Sequence, residues 1–298
     1  MTRHENHQPH REHDRRALAI TLAITATYCL VEFAGGIATN SLALLSDAGH
    51  MFADVAALGI SLFAARLSRL PATASKTFGY HRGEILAAFV NGLALWLVVG
   101  LIFHEAYQRF WDPPEVHSIG MIVIAAVGLV VNVMSLQVLR HSQAESLNVR
   151  AAFVHVLGDA LGSIGALVAG VLMLVWRWYI ADPLVSIGIG VLILYSSWDI
   201  VRESVDILMQ GTPREMRLEE IERCLRGIDG VREVHDLHVW TLTSGRYLLS
   251  VHLVVSTDDA TRPVIDAAQM RLRERFGIGH TTVQVDAGEE CTEEFRAH

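Results

Sequence analysis

Long apolar runs occupy the first two thirds of the chain and are separated by short polar connections. Six runs of this kind occur before residue 210. A helix needs about 20 mostly apolar residues to cross a bilayer, so each run is long enough for one span. The pattern therefore predicts six transmembrane helices, at residues 18–38, 41–65, 85–110, 119–139, 151–176 and 183–201.

The pattern changes after residue 210, where the chain becomes polar and rich in charge. Residues 215–228 and 262–276 repeat their apolar positions at helical spacing, whereas residues 234–241, 247–255 and 281–285 alternate like strands. The resulting order, αββαβ, predicts a small α+β domain of the ferredoxin-like kind. Three parts are thus expected: a histidine-rich tail at residues 1–16, a six-helix transmembrane domain at 17–209, and a ferredoxin-like domain at 210–298.

The distribution of arginine and lysine predicts the orientation in the membrane. These residues cluster before the first predicted span and in the connections after the second and fourth spans, while the alternate connections hold only Arg109 and Arg177. Cytoplasmic segments carry the excess of positive charge, so both termini and the C-terminal domain should be cytoplasmic. The polar first 16 residues do not resemble a secretory signal.

Composition agrees with a membrane protein and excludes several other classes. The 298 residues are 51% hydrophobic and only 19% charged, with a mean hydropathy of +0.34. A net charge of −8 argues against a nucleic-acid partner and favours cations. The three cysteines, Cys29, Cys224 and Cys291, are too widely separated for a disulfide framework or a thiolate zinc site.

Two of the predicted spans contain ionisable side chains on one helical face. The second span has Asp47, His50 and Asp54 at positions i, i+3 and i+7, and the fifth has His155 and Asp159 at i and i+4. An ionisable residue near the bilayer centre costs about 2.5 to 3.5 kcal/mol, so five of them indicate a function.

The two polar faces can meet at one depth of the bilayer. With cytoplasmic termini the second and fifth spans are antiparallel, which places His50 opposite Asp159 and Asp54 opposite His155. Two imidazoles and two carboxylates suit tetrahedral Zn²⁺ and are poor ligands for Mg²⁺ or Ca²⁺. The alternative, His–Asp pairs that only fix helix packing, is common in soluble bundles but costly in lipid.

Other polar residues have two open interpretations. Glu32 and Asn132, in the first and fourth spans, either join helices by hydrogen bonds or line the ion path. The N-terminal tail either captures zinc loosely or takes no part in transport. Its histidines recur every third residue, as His4, His7, His10 and His13.

Four sequence motifs resemble those of the cation diffusion facilitators, and of bacterial zinc exporters in particular. They are SLALLSDAGHMFAD at residues 41–54, FGYHRGE at 78–84, HVLGD at 155–159 and HDLHVW at 235–240. The resemblance extends from about residue 15 to residue 291. It implies a homodimer in the bacterial inner membrane that exchanges Zn²⁺ for protons, with a cytoplasmic domain that binds metal and assists dimerisation.

The resemblance also implies which side chains hold metal. The transport ligands would be His50, Asp54, His155 and Asp159, and a histidine at the first position goes with preference for zinc over cadmium. Zn²⁺ is thus the expected cargo, with Cd²⁺, Co²⁺ or other divalent metals as further candidates. A loop site of some relatives should be missing, because its histidines align with Lys76 and Tyr80, although His81 lies beside it.

A second metal site is implied in the C-terminal domain. His235 on the approach to the first strand, His252 on the second strand and Asp286 after the third match family ligand positions, while a histidine of some relatives is replaced by Gln284. Two other histidines are alternatives, either as ligands or as plain surface residues. They are His238 and His280.

The sequence as a whole predicts a zinc/proton antiporter that is not an enzyme. One alternative is an intramembrane zinc hydrolase, but catalytic zinc keeps an open coordination position, and here four ligands close the site. The other alternative is a membrane-anchored metal sensor, although an anchor does not need buried charges in two spans.

Overall fold

The computed structural model describes residues 8–67, 70–140, 147–256 and 261–287. Side chains 8–22, several between 54 and 65, 147–152 and 154 lie outside the described part. Within it the chain forms two compact units. The first contains residues up to 59 together with 91–199, and the second contains residues 60–90 together with 200 onward.

Six long helices occupy the apolar part of the chain, one for each predicted run. Four of them, α3, α4, α6 and the segment His155–Trp176 of α5, are long and apolar enough to cross a membrane, and Ala23–Thr39 of α1 is a shorter apolar helix. The helices themselves are confirmed, while the count of six spans stays a prediction. Their bounds are α1 Gln8–Thr39, α2 Leu42–Leu67, α3 Gly83–Trp111, α4 Ser118–Arg140, α5 Leu147–Trp176 and α6 Ala181–Leu208.

Several helices are longer than the apolar runs that predicted them. The sixth run ends at residue 201, whereas α6 continues to Leu208 and includes Arg202, Glu203 and Asp206. A hydropathy pattern marks only the part of a helix that suits lipid, while backbone hydrogen bonds carry the helix on into water.

Small residues lie where α4 meets α5 in the first unit. A buried cluster joins Met121 and Ala125 of α4 to Ala166 and Ala169 of α5. Van der Waals packing drives helix association in lipid, and small side chains allow the close approach that it requires.

The helices α2, α3 and α6 form another apolar cluster in this unit. Ala53 of α2 packs with Leu95 of α3 and Ile189 of α6. Trp96 of α3 stacks on Trp198 of α6 with 5.5 Å between ring centroids. These contacts fix the neighbours of α2, which carries the first set of ionisable residues.

The predicted order αββαβ is confirmed in the second unit. Its elements are α7 Leu218–Arg226, β1 Val231–Thr243, β2 Arg246–Val255, α8 Thr261–Phe276 and β3 His280–Ala287. The sheet order is β1-β2-β3, with β1 antiparallel and β3 parallel to β2. The first helix starts later than predicted, because residues 213–216 form a turn in which the Met216 amide donates to the Pro213 carbonyl.

The hydrophobic core of this α+β domain lies on one face of the sheet. Leu249, Val251 and Leu253 of β2 pack against Leu225 of α7 and Leu272 of α8. Because side chains alternate along a strand, Ser250 and His252 project from the opposite face. Polar side chains that could hold a ligand therefore lie on that face, opposite the core.

Candidate metal centres

The structure brings three of the four predicted intramembrane ligands together. His50 of α2 and His155 and Asp159 of α5 offer ligand atoms that all lie within 4.8 Å of one another. The two imidazole rings are edge-on, with centroids 5.5 Å apart, and His155 Nε2 is 3.8 Å from Asp159 Oδ2. The helix of Asp54 is described but its side chain lies outside the described residues.

A close approach of α2 and α5 sets this geometry. A Cβ atom placed on Gly162 of α5 would lie 3.1 Å from Oδ1 of Asp47. Asp47 and Asp159 are 3% and 2% exposed, so both carboxyl groups lie in the interior of the helix bundle. A side chain at this position would displace the carboxyl group of Asp47 by a few tenths of an ångström, so glycine leaves that group room beside the cluster.

Further buried oxygen atoms surround this cluster. Tyr28 Oη donates to Glu32 Oε1 at 3.3 Å, and Asn132 Nδ2 donates to Ser163 Oγ at 3.3 Å. Among the described residues, Asn132 Oδ1 has no hydrogen-bond partner, while the carboxyl groups of Glu32 and Asp47 face each other. A buried acceptor without a partner usually binds water or an ion, and paired carboxyl groups inside a membrane typically mark an ion or proton path, which favours the ion-path interpretation of Glu32 and Asn132.

The first turn of α2 is held by a carboxylate from α6 that sequence reasoning missed. Asp182 accepts hydrogen bonds from Ser41 Oγ at 2.7 Å, from the Leu42 amide at 2.7 Å and from the Ala43 amide at 3.1 Å. Arg109 Nη1 of α3 lies 3.6 Å from the same carboxylate. Only its position one residue before the sixth apolar run could have indicated this role.

The strand register brings the predicted C-terminal ligands together. His235 lies within β1, rather than before it, and pairs with His252 of β2. Asp286 of β3 lies two residues beyond Gln284, which pairs with His252, so it is on the same face of the sheet. The ligand atoms of His235, His252 and Asp286 all lie within 4.8 Å of one another.

The donor set of this C-terminal cluster fits a divalent metal such as Zn²⁺. His235 Nε2 is buried and has no hydrogen-bond partner among the described residues, and His252 Nδ1 lies 3.7 Å from Asp286 Oδ2. Two imidazole nitrogens and one carboxylate oxygen are common zinc ligands, and a fourth position would take water or another donor.

The alternative histidines have other roles in the described structure. His238 is 53% exposed and its Nε2 lies 2.8 Å from Asp236 Oδ1, and the ring of His280 packs edge-on against Phe78 at 5.9 Å. Neither belongs to a metal-ligand cluster of the described residues. His4 and His7, and the side chains of His10 and His13, lie outside the described part, as does Cys291.

The connection between α2 and α3 contacts the C-terminal strands within the second unit. Glu84, at the start of α3, accepts hydrogen bonds from Thr243 Oγ1 at 2.6 Å and Ser244 Oγ at 3.3 Å. His81 Nε2 lies 2.8 Å from Arg246 Nη1, and since a guanidinium can only donate, the imidazole accepts. His81 thus contacts Arg246, and the expected lack of a loop metal site stays a prediction.

Comparisons with known proteins agree with this architecture. Residues 18–209 match the family model of the cation efflux transmembrane domain, and residues 213–288 match that of the cation efflux protein cytoplasmic domain. The two matches together cover nearly the whole chain, and their boundary falls between α6 and α7.

Three relatives match over most of their own length as well. The metal cation efflux system protein CzcD of Cupriavidus metallidurans is 40% identical over 92% of this chain and 87% of that protein. A cadmium, cobalt and zinc/H(+)-K(+) antiporter of Bacillus subtilis is 41% identical over 92% and 89%. The zinc transporter ZitB of Escherichia coli is 40% identical over 92% and 88%.

Proposed function

Because the chain belongs to the cation efflux family, we propose that it exports Zn²⁺ from the cytoplasm in exchange for protons. The observation that carries this proposal is the convergence of His50, His155 and Asp159 between the apolar helices α2 and α5. Asp54 lies one helical turn from His50 on the same face of α2 and would complete a four-coordinate site.

The donor set accounts for the choice of cargo. Zinc accepts two imidazoles and two carboxylates in a tetrahedron, whereas Mg²⁺ and Ca²⁺ prefer six or more oxygen atoms. Cd²⁺ and Co²⁺ accept similar donors, and the named relatives include transporters of cadmium, cobalt and zinc. We therefore rank Zn²⁺ first and the other two metals after it.

Proton exchange follows from the chemistry of the same ligands. A protonated imidazole or carboxyl group must lose a proton before it binds a metal, so protons and Zn²⁺ compete for one site. If the site opens alternately to the two sides, an inward proton gradient drives the metal outward. The buried carboxyl groups of Glu32 and Asp47, which face each other near Asp159, would relay protons to and from this site.

The same proposal includes the cellular setting. The chain is a multi-pass membrane protein, and the arginine distribution supports cytoplasmic termini. The three named relatives are bacterial, which supports placement in a bacterial inner membrane. We propose that it works as a homodimer, with two cytoplasmic domains that each hold metal at His235, His252 and Asp286. The relatives are metal cation transporters, which leaves the hydrolase alternative without support.

Flux measurements in proteoliposomes test the proposal. The purified protein is reconstituted with a zinc dye inside the vesicles and an imposed pH gradient, and Zn²⁺ entry and proton movement are recorded together. We expect zinc flux that depends on the gradient, and its near-complete loss in Asp159→Asn, because one ligand of four is weakened.

Asp112→Asn is the matched control, because it makes the same chemical change at an exposed site at the end of α3. Its flux should equal that of the unmodified protein. Normal zinc flux in Asp159→Asn would refute the site, and zinc flux without proton movement would refute antiport. Tight zinc binding without any flux would favour the sensor alternative.

A further inference from the structure

One histidine of the C-terminal cluster lies between two carboxylates. His252 Nδ1 is 3.7 Å from Asp286 Oδ2, and His252 Nε2 is 3.5 Å from Asp236 Oδ2. The two ring nitrogens therefore face different acidic side chains. Only the first of these belongs to the ligand cluster with His235.

The backbone of β1 places Asp236 in this position. The pairing of β1 with β2 is irregular between His235 and His238, and Asp236 has φ of 51°. In a regular strand, residues 235 and 236 would point to opposite faces of the sheet. The irregularity brings Asp236 to the same ring that His235 pairs with, at the cost of a left-handed conformation that non-glycine residues adopt infrequently.

A second contact holds the Asp236 carboxylate in place. Its Oδ1 lies 2.8 Å from His238 Nε2, while its Oδ2 faces His252. His238 is half exposed and outside the ligand cluster, so its contribution is to anchor the carboxylate. Side-chain contacts thus run from His238 through Asp236 to His252, which belongs to the ligand cluster.

We propose that Asp236 is a positioning residue that accepts a hydrogen bond from His252 Nε2 and so directs the Nδ1 lone pair toward the metal. This inference rests on the proposed C-terminal metal site at His235, His252 and Asp286. Metal-ligating histidines almost always donate their other ring N–H to a carboxylate, carbonyl or water, which fixes the tautomer and the ring orientation. A small rotation of the Asp236 side chain would shorten the 3.5 Å separation to a well-formed hydrogen bond.

The residues of the sequence motif HDLHVW, at positions 235–240, have different roles in this arrangement. His235 supplies a ligand, Asp236 orients the ligand on the neighbouring strand, and His238 anchors Asp236. Val239 packs in the hydrophobic core of the domain and so fixes β1, the strand that carries these three residues.

The test measures Zn²⁺ binding to the full-length protein in detergent, by competition with a chelating dye. The intramembrane site is first silenced with His155→Ala and Asp159→Ala. In this background Asp236→Gly removes the carboxylate and Asp236→Asn keeps the size of the side chain, and both glycine and asparagine tolerate a left-handed backbone. We expect zinc binding at the C-terminal site to weaken by about 10- to 100-fold in Asp236→Gly, which is typical for the loss of such a partner, and by less in Asp236→Asn, because its amide oxygen is a weaker but remaining acceptor.

Two additional measurements separate positioning from a general structural role. The thermal unfolding midpoint of the metal-free protein should be unchanged in Asp236→Asn, because the backbone conformation is kept. The visible absorption of bound Co²⁺ should keep its band positions, because the ligand atoms are the same. The matched control is Asp266→Asn, an exposed carboxylate of α8 that pairs with Arg262 and should leave zinc affinity unchanged.

The outcomes distinguish this proposal from the site on which it rests. His252→Ala should remove one equivalent of bound zinc, and if it does not, the C-terminal site itself is wrong. If His252→Ala removes that zinc while Asp236→Gly keeps full affinity, the site stands and the role of Asp236 is refuted. A shifted Co²⁺ spectrum in Asp236→Asn would make Asp236 a direct ligand, which also overturns the positioning role.

Discussion

Replacing Asp182 should destabilise the helix that carries His50. The carboxylate of Asp182 accepts hydrogen bonds from the backbone amides of Leu42 and Ala43 and from the hydroxyl of Ser41. The first amides of a helix have no partner within the helix, and here a side chain 140 residues away in sequence supplies one. In Asp182→Ala these buried donors lose their acceptor.

The size of the effect follows from these contacts. Loss of a helix cap costs about 0.5–2 kcal/mol, and removal of one member of a buried ion pair costs about 3–5 kcal/mol. The two terms overlap because they involve the same carboxylate, so they do not add. We expect Asp182→Ala to lower the free energy of unfolding by about 3–5 kcal/mol, and Asp182→Asn by about half as much because one acceptor remains.

The assay is reversible unfolding of the purified protein in mixed micelles with increasing SDS, followed by circular dichroism. Glu105→Gln is the control, because Glu105 also pairs with Arg109, at 2.9 Å, but is 45% exposed. Because the Glu105 carboxylate is open to solvent, its pairing with Arg109 is worth about 0–1 kcal/mol, so this variant should unfold almost like the unmodified protein. Equal stability of Asp182→Ala and Glu105→Gln would refute the assigned capping role.

Three further predictions concern transport. His50→Asp should broaden selectivity toward Cd²⁺ or Mn²⁺, because an oxygen replaces a nitrogen that zinc prefers; unchanged selectivity in competition assays would contradict this. Truncation after Gly211 should weaken dimerisation or flux but keep zinc bound in the membrane, and a truncated protein that binds no zinc would refute two separate sites. Acidifying the loading side from pH 7.5 to about 6 should weaken apparent zinc affinity, since free imidazole titrates near pH 6.5 and protonated ligands bind no metal; pH-independent loading would exclude direct competition.

The sequence alone determined the elements and the two candidate ligand sets. Apolar runs predicted the six helices and alternation predicted the three strands, because both patterns are local consequences of which residues face lipid or core. Spacing placed His155 and Asp159 on one face of α5, and antiparallel spans then predicted that His50 would meet them. The motif resemblance supplied the C-terminal set.

Only the tertiary structure decided which distant groups support those sites. The cap of α2 by Asp182 joins residues that local patterns treat as unrelated, and Asp182 lies just outside the run that marked the sixth span. Asp236 lies beside His252 because the strand pairing is irregular at this point. Strict alternation would have placed the Asp236 side chain on the other face of the sheet. Hydrophobic periodicity reports the environment of each residue, whereas such contacts depend on how separate elements approach one another in three dimensions.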